Sequence, residues 1–376
     1  MKKNIQEKSE WIVPYNYLPN QFANRLDIFN EWKKLTDTSE YTLGPKVEEF
    51  ERNFASFVGA KYCISTNNGT DALILALKSL GITAGDEVIT VPNSFYATTG
   101  AIVACGAKPI FIDVDSRYQM NSQLIESAIT KKTKAILPVY WGGASPDMTT
   151  IVEIARINNL FVIEDACMGI GGRHQGISPG RYGDIGAYSM HPLKSLNVMG
   201  DGGMLTTDNT DLYNWMIEYR NHGMTDRDHI VRWGVNIRLQ PLQAIVANLE
   251  LPKIDKIVRD RNENAKYFDI ALKQLSSKVT TPKRVANDIE TYSLYMVLCK
   301  ERDNLIKYLR EKKIDAKIHY PIPLHLQEAA LNLGYEEGSF PVAEDQAYKI
   351  LTLPVHQYLK ETQLKYVIDC ISDFYS

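Results

Sequence analysis

A few residues in this sequence combine a reactive type with a telling neighbourhood. Lys194 lies in Tyr188-Ser-Met-His-Pro-Leu-Lys194-Ser-Leu-Asn-Val-Met-Gly200-Asp-Gly-Gly203, between a β-like run and a glycine turn. An amine held at a strand end, out of water and near other cationic groups, loses basicity and can form a Schiff base with an aldehyde. Glu164 and Asp165 follow the apolar run Leu160-Phe-Val-Ile163. Acids so placed are costly unless a cation or a hydrogen-bond donor meets at least one of them. In Asn67-Asn-Gly69-Thr70-Asp71 a glycine turn leads into an apolar helix, whose free N–H groups and dipole suit a phosphate. Phe95 and Tyr96, in Pro92-Asn-Ser-Phe-Tyr-Ala-Thr-Thr99, offer rings to lay against a flat ligand. Each feature has a plainer reading when taken singly: a solvated lysine, a helix cap, ordinary packing.

The elements that must position these residues read as alternating strands and helices. Short β-branched runs at 61–66, 86–91, 108–112, 134–139, 160–163 and 184–189 are separated by stretches of helical length, and 202–207 returns after Lys194. Such alternation predicts an α/β fold with a mostly parallel sheet between helices. In such sheets ligands sit at the carboxyl ends of the strands, which is where the reactive residues fall. Ahead of this region, helical segments cover 24–35 and the stretch opened by Gly44-Pro45, which carries Val47, Phe50 and Phe54 on one face. After Asn236-Ile-Arg238-Leu-Gln-Pro-Leu-Gln-Ala244 a long helix is expected to reach about Phe268 and to link two domains. A strand at 292–298 and helices at 303–312, 343–350 and 363–374 then suggest a smaller α+β unit. The expected division is 1–250 for the large domain and 251–376 for the small one.

Composition narrows the partners. With 42 basic and 45 acidic residues the net charge is -3, so no field is available to hold nucleic acid or an anionic membrane. The five cysteines show neither zinc spacing nor a disulfide framework. The N-terminal Met-Lys-Lys-Asn-Ile-Gln-Glu-Lys is not followed by a signal-peptide core, and no long apolar run occurs. A cytoplasmic protein acting on a small molecule is expected, with no metal.

Taken together, the strand-end residues match the needs of pyridoxal 5′-phosphate: a lysine for its aldehyde, a carboxylate for its ring nitrogen, a phosphate cup and a stacking ring. Lys194, Asp165, the Gly69-Thr70 turn with Ser189, and Phe95 supply them. The same residues carry a family likeness. Leu43-Gly-Pro-Lys-Val-Glu-Glu-Phe-Glu51, Asn68-Gly-Thr-Asp-Ala-Leu73, Gly85-Asp-Glu-Val-Ile-Thr90 and Ser94-Phe-Tyr-Ala-Thr98 come first in order. Val162-Ile-Glu-Asp-Ala166, Gly183-Asp-Ile-Gly-Ala-Tyr-Ser-Met-His-Pro-Leu-Lys194, Gly200-Asp-Gly-Gly203, Gly234-Val-Asn-Ile-Arg238 and His319-Tyr-Pro-Ile-Pro-Leu-His-Leu-Gln327 follow. From about Tyr41 onward the chain resembles the DegT/DnrJ/StrS family of sugar aminotransferases, pyridoxal-phosphate enzymes of fold type I.

The resemblance implies that Lys194 binds the cofactor aldehyde and that Asp165 partners the pyridine nitrogen. It places Phe95 on the ring and Gly69, Thr70 and Ser189 on the phosphate, with Asn236 reaching the phosphate of a neighbouring subunit in a homodimer. His325, Tyr320 and Arg238 would lie near the substrate. It further implies L-glutamate as amino donor and a nucleotide-linked 3-keto or 4-keto deoxy sugar as acceptor, with a slight lean to 3-keto. Met168 stands where the family usually carries Gln or His to bond the cofactor's phenolic oxygen. A thioether is a weak acceptor and no donor, so that bond is not expected here. Family members that are dehydratases carry His in place of Lys194, which sets this sequence apart from them. A non-catalytic cofactor-binding regulator is the remaining alternative.

Overall fold

The computed structural model describes residues 11–376; the charged N-terminal octapeptide lies outside them. Seven strands build the main sheet: β1 (Tyr62–Thr66), β2 (Glu87–Thr90), β3 (Lys108–Phe111), β4 (Thr133–Ile136), β5 (Phe161–Asp165), β6 (Ile185–Ser189) and β7 (Gly203–Thr207). Their order is β1-β7-β6-β5-β4-β2-β3. Only β7 runs antiparallel to its neighbours β1 and β6, while β6, β5, β4, β2 and β3 pair in parallel. The carboxyl ends of β1, β2, β5 and β6 therefore share one edge, and every strand-end residue singled out above falls on it.

The local chemistry explains the elements. Helix Pro45–Val58 starts with proline at its first turn and ends at Gly59, whose φ of 79° is the left-handed cap glycine adopts easily. It turns Val47, Phe50 and Phe54 onto the sheet, and the Phe54 ring meets Tyr188 edge-on with centroids 5.1 Å apart. Fully buried Leu75, Leu77, Ile89, Ile136 and Ile163 fill the same core; each such side chain contributes about 1.5–3 kcal/mol of burial free energy. A buried ion pair crosses the layer between Arg220 and Glu51, and Arg220 also donates to the Ser65 carbonyl at 2.9 Å. This fixes the helix, β1 and the chain after helix Thr210–Tyr219 to one another.

A second sheet, ordered β10-β9-β8, joins β8 (Val279–Thr280), β9 (Tyr295–Cys299) and β10 (Ile350–Leu353), all antiparallel. It packs with helices Ile254–Leu272, Arg302–Glu311 and Glu361–Tyr375 around Phe268, Tyr295, Leu305, Leu351 and Val367. Val13 belongs to this cluster, so the first described residues are built into the second unit.

Three sequence expectations need correction. The helix expected to run unbroken to Phe268 is two helices, Pro241–Glu250 and Ile254–Leu272, separated by a tight turn at Leu251–Lys253. Pro252 lacks the N–H that a continuous helix requires. The last residues of the helix expected at 343–350 lead directly into β10, because the apolar Ile350-Leu-Thr-Leu353 pairs with β9. Finally, β5 extends through both acids, so Glu164 and Asp165 lie within the strand and point to opposite faces.

Candidate active site

The two adjacent acids divide the work. Glu164, fully buried, accepts the Tyr140 hydroxyl and the backbone N–H groups of Gly180 at 2.8 Å, Tyr182 at 2.6 Å and Gly183 at 2.6 Å. Burial raises its pKa and these donors oppose the rise. Glu164 thus anchors the loop before β6. On the other face, Asp165 Oδ2 accepts from Thr98 Oγ1 at 2.7 Å and Oδ1 from the Cys167 N–H at 3.2 Å. Thr98 shares a further hydroxyl contact of 2.6 Å with Ser94. Asp165 is 5% exposed and Thr98 1%, so the carboxylate is held in one orientation away from bulk water.

Lys194 follows β6 in an irregular loop. Part of its surface reaches solvent, yet the amine is deep enough that burial lowers its pKa, while Cys167 and Asp165 pull the other way. Burial and the nearby Lys194 charge depress the His319 imidazole to about 4. Lys194, Asp165, Cys167 and His319 therefore form one electrostatic neighbourhood. An amine of reduced basicity beside a fixed carboxylate is the arrangement a Schiff-base lysine needs.

The phosphate-type turn is built as its sequence suggests. Asn68 caps helix Gly69–Ser79, its side chain accepting from the Asp71 N–H at 2.8 Å. As first-turn positions, Gly69 and Thr70 have no intrahelical acceptor for their N–H groups. A Cβ at Gly69 would lie 2.8 Å from Ser189 Cβ and 3.2 Å from Cys167 Sγ. Only glycine lets the helix start approach β6 so closely.

Phe95 is half-buried, and its ring centroid lies 6.1 Å from Tyr320, which in turn lies 5.6 Å from Trp141. Burial pushes the Tyr320 phenol up to about 12. Leu324 N donates to the Pro92 carbonyl at 2.7 Å, so the segment carrying Tyr320 is tied across the strand-end edge.

Other residues expected at the site stand differently. His325 is 2% exposed; its Nε2 contacts Glu344 Oε1 at 2.9 Å and its ring meets Phe340 edge-on at 4.7 Å. Because Glu344 also accepts from the Gly338 and Phe340 N–H groups, His325 braces a turn with these contacts. Asn236 is exposed and pairs with Asn221 in an isolated bridge. Arg238 donates to Asn221 Oδ1 at 2.9 Å. Met168 is fixed through its carbonyl, which accepts from Thr291 at 2.5 Å and Ser293 at 3.0 Å. Thr98, Ser94, Cys167 and His319 were not singled out from the sequence. Thr98 had one visible signal, its place one helical turn after Phe95 and next to the sheet edge.

Residues 24–372 match the DegT/DnrJ/EryC1/StrS aminotransferase family. The chain belongs to this family. The chain is 36% identical over 366 residues to a "pleiotropic regulatory protein" of Geobacillus stearothermophilus, covering 96% of this chain and 98% of the relative. It is also 36% identical to the UDP-2-acetamido-2-deoxy-3-oxo-D-glucuronate aminotransferase of Pseudomonas aeruginosa, covering 89% and 92%. The solved structure of S. venezuelae DesV in complex with a ketimine intermediate superposes with a TM-score of 0.94 at 32% identity, covering 96% and 98%. The fold is that of the DegT/DnrJ/EryC1/StrS aminotransferases, and the cofactor is pyridoxal 5′-phosphate.

This chain's own residues fit that cofactor: a glycine cradle at a helix start, a carboxylate aimed by two donors and an amine of lowered pKa converge at one edge. For this DegT/DnrJ/EryC1/StrS aminotransferase, Thr98→Val should weaken pyridoxal phosphate binding by about 10-fold or more, since a hydrogen bond to a charged group contributes about 1.5–3 kcal/mol. Fluorescence titration of the apoprotein checks it. Wild-type affinity in the variant would show that Asp165 needs no help from the hydroxyl.

Proposed function

We propose that this aminotransferase moves an amino group from L-glutamate to a nucleotide-linked keto-deoxy sugar, with the ketone at position 3 or 4. The observation that carries the reading is the convergence of Lys194, Asp165 fixed by Thr98, and the Gly69–Ser189 cradle at one edge of the sheet. The named aminotransferase of Pseudomonas aeruginosa supports a nucleotide sugar as acceptor.

Bound pyridoxal phosphate supplies an aldehyde that accepts the amino group and a ring that withdraws electrons from the reacting carbon. Lys194 would bind that aldehyde, be released by the donor, and then carry a proton to and from the reacting carbon as general base and acid. Asp165 would keep positive charge on the ring nitrogen. Gly69, Thr70 and Ser189 would hold the phosphate and Phe95 would cover the ring. Tyr320 and Arg238 are assigned to the sugar nucleotide side, while His325 is assigned there only through the turn it braces.

The working unit in this reading is a homodimer. Asn236 lies beside a surface that one chain leaves uncovered, with Trp233 89% exposed and Ile230, Val231 and Leu242 also outside. Apolar surface of this kind favours coverage by a second copy, which would bring Asn236 to the partner's phosphate. We place the protein in the cytoplasm, where its five free cysteines stay reduced; among the described residues no helix is long and apolar enough to cross a membrane. We divide the chain into domains 1–250 and 251–376 at the Leu251–Lys253 turn, with Val13 crossing back into the second.

The test is an assay of the protein loaded with cofactor against a panel of nucleotide-linked 3-keto and 4-keto deoxyhexoses with L-glutamate. The expected products are 2-oxoglutarate and one amino sugar nucleotide, identified by mass. Amination of simple 2-oxo acids but of no sugar nucleotide would overturn the acceptor. No conversion of glutamate at all, with cofactor bound, would favour the regulator.

A further inference from the structure

The segment before residue 24 lies outside the family match, yet it reaches the reactive lysine. At Ile12 and Val13 it is built into the second sheet's unit: Ile12 N and Val13 N donate to the Lys313 carbonyl at 2.9 and 3.1 Å, and Asp315 N donates to the Val13 carbonyl at 2.9 Å. The Pro14 carbonyl meets His356 Nε2 at 3.0 Å. Its other end grips the lysine loop twice. The Tyr17 hydroxyl donates to the Lys194 carbonyl at 3.1 Å, and Asn197 Nδ2 donates to Gln21 Oε1 at 2.9 Å. Tyr17, Gln21 and Asn197 are all buried.

Behind Tyr17 stands Arg261, 2% exposed. Its Nη2 donates to the Tyr17 oxygen at 2.8 Å, its guanidinium lies 5.3 Å from the Tyr17 ring centre, and its Nε donates to Gln357 Oε1 at 3.0 Å. An oxygen that accepts from a guanidinium is a stronger donor to its own acceptor, because charge-assisted bonds polarise the chain they belong to. The Tyr17 hydroxyl has one proton to give, and the cation behind it directs that proton at the Lys194 carbonyl.

The lysine loop needs such a hold. Beyond the Met190 N–H donating to the Gly202 carbonyl at 2.7 Å it pairs with no strand among the described residues, and the Lys194 peptide is otherwise fixed by its N–H donating to the His191 carbonyl at 2.8 Å. A lysine that must bind an aldehyde, leave it and return to the same carbon depends on a fixed origin for its flexible side chain.

We propose that Tyr17, held by Arg261, is a positioning residue for Lys194, and that the segment from Ile12 to Gln21 is a strap joining the lysine loop to the second unit. This rests on the reading of Lys194 as the cofactor-binding amine. The strap makes the orientation of the lysine peptide depend on where the second unit sits, so a shift of that unit moves Lys194.

The test uses the full chain loaded with pyridoxal phosphate. Tyr17→Phe keeps the ring and removes the hydroxyl. The pH at which the bound cofactor's visible absorbance changes reports the proton on the lysine nitrogen; the other titratable groups near this nitrogen, Asp165, Cys167, His191 and His319, are unchanged in the variant. The expected result is a midpoint moved by up to about one unit, since only the part of a net hydrogen bond of about 0.5–1.5 kcal/mol that differs between the two protonation states appears in it. Hydrogen exchange should quicken in peptides spanning 190–200 and not in those spanning β1. Arg261→Met, which keeps the hydroxyl and removes the cation behind it, should move the midpoint the same way by a smaller amount, and the double variant should match Tyr17→Phe alone. An unmoved midpoint with unchanged exchange at 190–200 overturns the proposal, as does a shift from Arg261→Met that simply adds to that of Tyr17→Phe. If Tyr17→Phe proves too unstable to load, the exchange comparison is made on Arg261→Lys, whose single ammonium cannot hold Tyr17 and Gln357 in the same fork; faster exchange at 190–200 supports the strap and wild-type exchange overturns it. Borohydride fixation of cofactor to Lys194, measured by mass in the wild-type chain, separates the outcomes: its absence means that the reading of Lys194 has failed, whatever Tyr17 does.

Discussion

Lys194→Ala should lower amino transfer by about 10³-fold or more if Lys194 holds its proposed roles, the combined loss of the amine proposed to bind the aldehyde and of a positioned acid–base group worth about 10²–10⁴ by itself. The argument starts from the amine's surroundings. Burial lowers its pKa, and Asp165 and Cys167 only partly oppose this, so a larger share of the amine is unprotonated near neutral pH than for a solvated lysine. An alanine leaves the cradle of Gly69 and Ser189 and the aimed carboxylate in place. The variant should still bind pyridoxal phosphate, though more weakly, and borohydride treatment should no longer add the cofactor's mass to the chain. Two readouts check this: the mass of the reduced protein and the rate of 2-oxoglutarate formation from glutamate. A variant still fixed by borohydride at wild-type yield would mean that another amine does the work.

Asp165→Asn slows amino transfer by about 10- to 10³-fold, because an opposite charge at close range shifts a partner's pKa by about 1–3 units. The substitution preserves shape. The asparagine oxygen can keep the Cys167 N–H while its NH2 donates to Thr98 Oγ1, whose own proton can turn to Ser94, so the fold should survive and the lost charge should be the main change. The rate should recover in part at lower pH, where a ring nitrogen without its carboxylate can still be protonated from solution. A single-turnover rate against pH tests it, and an unchanged rate at neutral pH would remove Asp165 from its assigned role. Glu164 provides the contrast: its oxygens are taken up by Tyr140 and three backbone N–H groups, so a change there acts on stability.

The proposed site is legible in the sequence so far as a cofactor's needs fall at strand ends, which show as breaks in apolar alternation. Lys194, Asp165, Gly69 and Ser189 stand at such breaks, and the structure brings them to one edge of the sheet. The choice between Glu164 and Asp165 could not come from the run itself, since two neighbouring residues on a strand face opposite ways and only the packing says which face is the site. Thr98 looked like any helix threonine. Tyr17 and Arg261 are 244 positions apart, and no local pattern links them to each other or to Lys194. His325 is placed near the substrate only by the family resemblance, and nothing in the sequence around it shows that Glu344, 19 positions later, takes its hydrogen bond. Pro252 marks the break between Pro241–Glu250 and Ile254–Leu272 in the sequence itself, although helical periodicity runs on both sides of it.

The antiparallel β7 has a consequence for how the enzyme is made. β1 carries the proposed phosphate turn at its end but, among the described residues, joins the sheet only through β7, and the touching side chains Cys63 and Met204 lie 141 positions apart. During synthesis β1 therefore waits as an unpaired edge until the chain through Thr207 has left the ribosome. Pairings of this span form slowly and leave sticky edges exposed meanwhile. In the finished sheet β7 lies between β1 and β6, so the Gly69 turn and the Lys194 loop reach their final separation only with β7 in place.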